Sequence, residues 1–181
     1  MGRNTAVLIY HFTDFHTRPD SRGFEPEMAD ALPRFAELLA GCRKAGVLVT
    51  YVLSQTARDA SVGGQVSQEI APLPGDEIIQ QTGGGGAFGT PLFEELLRKR
   101  GRGTLLITGI AIDRGLSDTA RRATGCGVRP IMVRAACFAQ DIADSPLGPV
   151  SKEEIERVHL AAMYRHGIGV MTIDEVLASL R

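Results

Sequence analysis

No apolar run in this 181-residue chain approaches the ~20 residues needed to span a bilayer. The N-terminus carries a short apolar strand pattern instead of the long apolar core of a signal peptide. Cysteine is scarce: Cys42, Cys126 and Cys137 are an odd number with no C-x-x-C spacing, which argues against a disulfide framework and for a cytoplasmic location. Charge of either sign is nearly cancelled, at a formal −1, so the concentrated basic face that nucleic acid or an anionic membrane requires is missing. The one basic cluster, Arg98, Lys99, Arg100 and Arg102, falls where a helix closes, and cations there complement the helix dipole. No Pro/Gly/Ser-rich linker divides the chain, no repeat is visible, and low complexity is confined to Gly83 to Gly86. That glycine run lacks the lysine and the strand–loop–helix setting of a P-loop, and the dinucleotide fingerprint is missing as well, so no nucleotide cofactor is expected.

What is present reads as one domain, residues 1–181, whose 44% hydrophobic content suffices for a sizeable core. Short β-branched runs at 6–10, 47–53, 77–80, 104–108, 129–133 and 169–172 alternate with stretches of helical periodicity. This alternation predicts an α/β fold with a Rossmann-like, doubly wound sheet of about six parallel strands flanked by helices. The runs are apolar throughout instead of alternating, as strands covered on both faces are. Ser151 with Glu154 and Thr172 with Glu175 have the spacing of capping boxes, and Thr90-Pro91 supplies an N-cap followed by proline at the first helical position. Pro33 is expected in or near the first turn of a helix running to about Lys44, since in an interior it would delete a hydrogen bond and clash.

In such a sheet, ligands bind beyond the carboxyl ends of the strands, where strand order reverses. His11 ends the first strand, Gln81 the third, and Asp113 to Gly115 lie between the fourth and its helix, so these segments are expected to converge. The segment Gly109-Ile110-Ala111-Ile112-Asp113-Arg114-Gly115-Leu116, followed by Thr119-Ala120-Arg121-Arg122-Ala123, resembles the Gly-Ile-Ala-x-Asp-x-Cys-Val and Thr-Ala-x-x-Ala pattern of the isochorismatase-like cysteine hydrolases. Ala87-Phe88-Gly89-Thr90-Pro91-Leu92 is similar to that family's Ala-Phe-x-Gly-Thr-x-Leu, one residue shorter. The run from Ala6 to Phe12 sits where the family writes an apolar strand ending in Asp-Met-Gln.

The resemblance spans about residues 6 to 177 and implies the family's fold. It also implies a site built from an Asp acid/base, a Lys and a Cys nucleophile, and this chain departs from it at all three. Matching the apolar run puts His11 at the Asp position, and a one-residue shift puts Tyr10 there. Gln81 or Thr82 takes the Lys position, and Gly115 the Cys position. Without a thiol, the acyl-enzyme route to amide hydrolysis has no nucleophile. The isochorismatase branch, which cleaves a vinyl ether, also has Gly at the Cys position, but it keeps the Asp and the Lys.

His11 is the candidate acid or base because imidazole titrates near neutrality. Gln81 would donate a hydrogen bond to substrate, and Asp14 would orient or charge the imidazole. Gly115, with Ile110, Ala111, Asp113, Arg114 and the amides opening the next helix, would hold an oxyanion or a carboxylate. Tyr10, Phe12, Phe15 and Phe88 flank the expected crevice and could contact an apolar ligand or belong to the core. The alternative for His11 is a satisfied polar residue in a cleft that has lost its chemistry. Gly83 to Gly86 reads as a flap over the crevice, ordered only by ligand or a neighbouring subunit.

His159 and His166 read as structural, and Cys137 as a small buried hydrophobe. His11, Asp14 and His16 do not form a recognised ligand pattern, and the Asp-x-His that the nicotinamidase branch carries after its second strand is missing from Ser54-Gln55-Thr56-Ala57, so no metal is expected. The partner is then a small molecule, and the resemblance implies a homodimer or homotetramer. The residues support an acid/base enzyme without a covalent intermediate, catalysing enol-ether hydrolysis, hydration, elimination or isomerisation. Against it stands a non-catalytic relative that binds a ligand or a protein through the same cleft. Amide hydrolysis by activated water is a third reading.

Overall fold

A computed structural model describes residues 1–54, 65–81 and 83–181. The comparison of Gln55-Thr56-Ala57 with the Asp-x-His segment and the alternative placement of Thr82 lie outside the described residues. Six strands form a single sheet: β1 (Thr5–Tyr10), β2 (Leu48–Ser54), β3 (Glu77–Gln81), β4 (Thr104–Ile110), β5 (Arg129–Phe138) and β6 (Gly169–Thr172). Their order across the sheet is β3-β2-β1-β4-β5-β6, and every pair is parallel. The chain therefore winds outward from β1 to β3, returns to the other side of β1, and winds outward again to β6. The reversal falls between β1 and β4, which locates the ligand crevice at their carboxyl ends.

Helices cover both faces: α1 (Asp14–Thr17), α2 (Pro26–Lys44), α3 (Pro91–Lys99), α4 (Ser117–Gly125), α5 (Lys152–Arg165) and α6 (Ile173–Ser179). Every residue of β1 and of β4 is buried, so both strands read as continuous apolar runs. Alternate residues serve two cores. Ala6, Leu8 and Tyr10 join Leu105, Ile107, Phe93 and Leu116 on one face. Val7, Ile9 and Phe12 join Leu106, Phe35, Leu39 and Val176 on the other. No helix among the described residues is long and apolar enough to cross a membrane.

The expected caps form at three helices. Thr90 Oγ1 accepts from the Leu92 amide at 3.4 Å, and Ser151 Oγ accepts from the Glu154 amide at 3.3 Å. At α6 the box is reciprocal, because Glu175 also accepts the Thr172 amide at 2.7 Å.

The expectation for Pro33 is overturned. The helix starts at Pro26, whose missing N–H costs nothing at the first position, and Pro33 lies inside it on the exposed side. The apolar stripe of Met28, Leu32, Phe35, Leu39 and Cys42 carries the helix through the defect. Pro33→Ala restores a donor for the Ala29 carbonyl and removes the ring clash, while relaxing the unfolded chain. It is expected to raise stability by about 1–2 kcal/mol in urea titration; an unchanged midpoint would show that the helix is already fully adapted to the ring.

The β4–β5 pairing contains a register shift between Ile107 and Gly109. Gly109 has a φ of 120°, and a Cβ on it would stand 2.8 Å from the Tyr10 backbone N and C atoms. Only glycine lets β4 approach β1 this closely, directly beneath the crevice.

Candidate functional site

Beyond the carboxyl ends of β1 and β4 lies a crevice of about 430 Å³ lined by Tyr10, His11, Phe15, His16, Gly83 to Gly86, Ile110, Ala111, Arg114, Gly115, Asp118 and Gln140. The expected convergence of the first strand end with the loop after β4 is therefore realised. The peptide between Ile110 and Ala111, in the wall of this crevice, is cis.

Tyr10 and His11 stand side by side in its wall. Tyr10 is the last residue of β1, and His11 turns away at a φ of 51°, a conformation that His tolerates better than most side chains. Their rings stack with centroids 3.9 Å apart and planes 12° apart. The Tyr10 ring also lies against Gly115: a Cβ there would stand 2.6 Å from Cζ and 2.7 Å from the hydroxyl oxygen of Tyr10. Of the two candidate positions on this strand, Tyr10 faces Gly115, and His11 is stacked beside it. Burial, seconded by the Asp118 carboxylate, pushes the Tyr10 phenol above its ordinary value, so it is a protonated donor at neutral pH.

The two histidines share one electrostatic character. His11 Nε2 and His16 Nδ1 are buried atoms with no hydrogen-bond partner among the described residues. Burial, then His16 and Arg114, pushes His11 down to about 4; burial, partly offset by Glu25 and aided by Arg114, pushes His16 down to about 4. Both imidazoles are consequently neutral at pH 7. Phe15 packs edge-on to His16, at 5.2 Å between centroids. Arg114 is largely exposed at the rim, 3.7 Å from Asp113 Oδ2 and 3.4 Å from the Gln140 side-chain oxygen.

Five candidate residues do not line the crevice. Asp14 pairs with Arg18 at 3.6 Å, one helical turn on, and what acts on His11 is burial first, then His16 and Arg114. Gln81 is buried, and its Nε2 donates to the Gly86 carbonyl at 2.6 Å, so its donor holds the glycine loop instead of facing a ligand. Phe12 packs on Phe35 and Phe138 in the opposite core: strict alternation would put it on the face of Tyr10, and the positive φ of His11 breaks that phase. Phe88 is core against Phe93, and Asp113 faces Arg114 outside the cavity.

Gly83 to Gly86 do cover the crevice, but the far end of the loop is tied down by the protein itself. Besides the Gln81 bond, the Ala87 amide donates to Thr119 Oγ1 at 2.8 Å, and that hydroxyl donates to the Gly115 carbonyl at 2.6 Å. The expectation that only a ligand or a subunit orders this loop is corrected accordingly. His16, Asp118 and Gln140 were not among the candidates. Asp118 stands one turn beyond Gly115 on α4, a spacing that could have flagged it; His16 and Gln140 arrive from separate elements with no local signal.

None of the three cysteines lines the crevice. Cys42 and Cys137 are buried in the cores, with Cys137 Sγ 3.1 Å from the Ile107 carbonyl, and Cys126 caps α4. His159 Nδ1 lies 3.1 Å from Ser117 Oγ, holding α5 to the start of α4.

Residues 5–175 match the isochorismatase domain, so the chain belongs to the isochorismatase family. Solved structures agree on the fold. A cysteine hydrolase from Pseudomonas syringae pv. phaseolicola 1448A superposes with a TM-score of 0.89 at 20% identity, over 98% of this chain and 92% of that one. An isochorismatase from Pseudomonas putida KT2440 gives 0.85 at 21%, over 96% and 91%. An isochorismatase-like hydrolase from Alkaliphilus metalliredigens gives 0.83 at 15%, over 98% and 99%.

Proposed function

We propose that this chain is an isochorismatase-family enzyme that acts on a small metabolite by acid/base chemistry, without a cysteine nucleophile and without a covalent intermediate. The observation that carries this reading is His11: a neutral imidazole in the crevice wall whose buried Nε2 has no partner among the described residues, stacked on a tyrosine that remains a proton donor. A nitrogen in that state accepts a proton from a substrate carbon or from an attacking water, and the Tyr10 hydroxyl can return one to the opposite end of the reacting system. Hydration, elimination and isomerisation need only this pair. Thioester chemistry lacks its thiol here, since the position facing Tyr10 is Gly115 and no cysteine lies among the lining residues. The cavity volume suits a small metabolite.

The test is product analysis by mass spectrometry on isochorismate, chorismate, other enol ethers and small amides, with wild type and His11→Asn. Asparagine tolerates the positive φ of residue 11, so the variant removes the imidazole and keeps the backbone. Turnover by wild type, reduced about 100-fold or more in the variant, is the expected result. Undiminished turnover in His11→Asn would remove His11 from the mechanism. Saturable binding without turnover would favour the second reading, a non-catalytic binder, which is supported by the Tyr10 ring packed onto Gly115 and by the Gln81 donor being committed to Gly86.

A further inference from the structure

The crevice wall presents three groups that are cationic or can become so, His11, His16 and Arg114, and two of them end in buried nitrogens without a partner among the described residues. Buried polar atoms in native structures are normally satisfied, so a matched pair of orphans on one cavity marks where a ligand's polar group belongs. The lining carboxylate, Asp118, stands on α4 beside Tyr10, whose phenol it influences. Glu25, at the start of α2, faces His16 but is committed to Lys152 at 3.4 Å and to the Gln140 amide at 3.3 Å. Asp14 on α1 is paired with Arg18. Among the described residues no third His, Cys, Asp or Glu completes a metal-ligand set with the two imidazoles. The group that satisfies two imidazoles and a guanidinium is an anion, and the Phe15 ring beside them suits a flat apolar body behind it.

We propose that the crevice captures the carboxylate of a small aryl or enoyl acid between Arg114 and the His11–His16 pair, and that binding takes up one proton from solvent onto that pair. The proposal rests on the acid/base reading above for the site but not for turnover. In the free protein the pair stays neutral because burial and Arg114 disfavour charge. A bound carboxylate reverses the balance, since an opposite charge in contact favours the protonated ring. Only one imidazole charges, because each repels a second proton on its neighbour. The other remains the base that the chemistry uses. No bond is made or broken: one proton moves from buffer to an imidazole nitrogen, and a carboxylate accepts from the resulting N–H.

The experiment is isothermal titration calorimetry of the whole chain with benzoate, and with benzamide as a neutral isostere, in two buffers of different ionisation enthalpy. Benzoate is expected to bind with uptake of close to one proton, its affinity falling roughly tenfold per unit between about pH 5 and about pH 7, while benzamide shows neither effect. In His11→Asn/His16→Gln the uptake disappears; in Arg114→Gln benzoate weakens but the uptake persists. Benzoate binding without proton uptake overturns the proposal, as does failure of wild type to bind it. Proton-coupled binding in a protein that turns nothing over upholds this proposal while sinking the catalytic reading. Turnover without proton uptake does the reverse.

Discussion

Acidifying the ligand-free protein from about pH 6.5 to about pH 4 is expected to remove on the order of 3–6 kcal/mol of folding stability through His11 and His16. Both imidazoles titrate near 6.5 in the unfolded chain and are pushed down to about 4 in the folded one. In that window the unfolded state binds more protons than the native state, so stability rises with pH and falls as pH drops. Above the unfolded value neither state is protonated there, and the full stability is present. Below the folded value the loss is complete. Each shift corresponds to roughly 3 kcal/mol, so the range runs from one imidazole to both. Urea unfolding of wild type and of His11→Asn/His16→Gln at intervals across the window isolates the contribution, because carboxylates elsewhere act in both proteins. The variant should lose markedly less stability on acidification. Parallel curves would show that both imidazoles are already solvated. If benzoate binds as proposed, saturating it should flatten the wild-type curve as well, since the bound anion raises the folded-state values.

Most of the sheet was legible because its physics is local. A parallel strand covered on both faces must be apolar along its whole length, and β1, β2, β4 and β6 start and stop within two residues of their apolar runs. β5 outran its signal, since Ala135-Ala136-Cys137 carries little strand preference and Ala135 sits at a φ of 63°, in the bulged region where β4 changes register. Pro33 misled for the opposite reason: a local penalty was outweighed by the buried stripe of α2. In the site, what followed from sheet topology held. The carboxyl ends of β1 and β4 meet, and Tyr10, His11, Ile110, Ala111, Arg114 and Gly115 line one cavity. What depended on side-chain direction did not follow from sequence. Phe12 crosses to the far core after the turn at His11, Gln81 turns under the glycine loop, and Asp14 turns outward to Arg18. His16 stands five residues from His11 across a turn and a short helix, so nothing in the linear spacing brings its ring to the same wall.

Reinstalling a thiol at the position the family uses for its nucleophile should damage the fold before it restores any chemistry. In Gly115→Cys the new Cβ arrives 2.6–2.7 Å from Cζ and Oη of Tyr10, and the ring has no free direction: His11 is stacked on it at 3.9 Å and the residue is only 5% exposed. Overpacking of this kind costs about 1–3 kcal/mol. The Thr119 bond to the Gly115 carbonyl, and through it the Ala87 anchor of the glycine loop, lies on the same backbone and is strained with it. Tyr10→Ala alone opens a cavity and costs about 3–5 kcal/mol. Combining the two places the cysteine side chain in the space the ring vacates, so the double variant should be more stable than the sum of the single losses by about 1–3 kcal/mol. Urea titration of the four proteins closes this cycle. Additive losses would show that the ring and residue 115 do not compete for one volume. Hydrolysis of small amides by Gly115→Cys alone would show more: a thiolate needs a neighbouring base or cation to form, and the ring that the thiol must displace is the one stacked on His11. The expected rate is that of the protein without the thiol. The tyrosine packed onto Gly115 thus bars the volume of a nucleophile, and the acid/base reading turns instead on the His11 imidazole and the Tyr10 phenol stacked beside it.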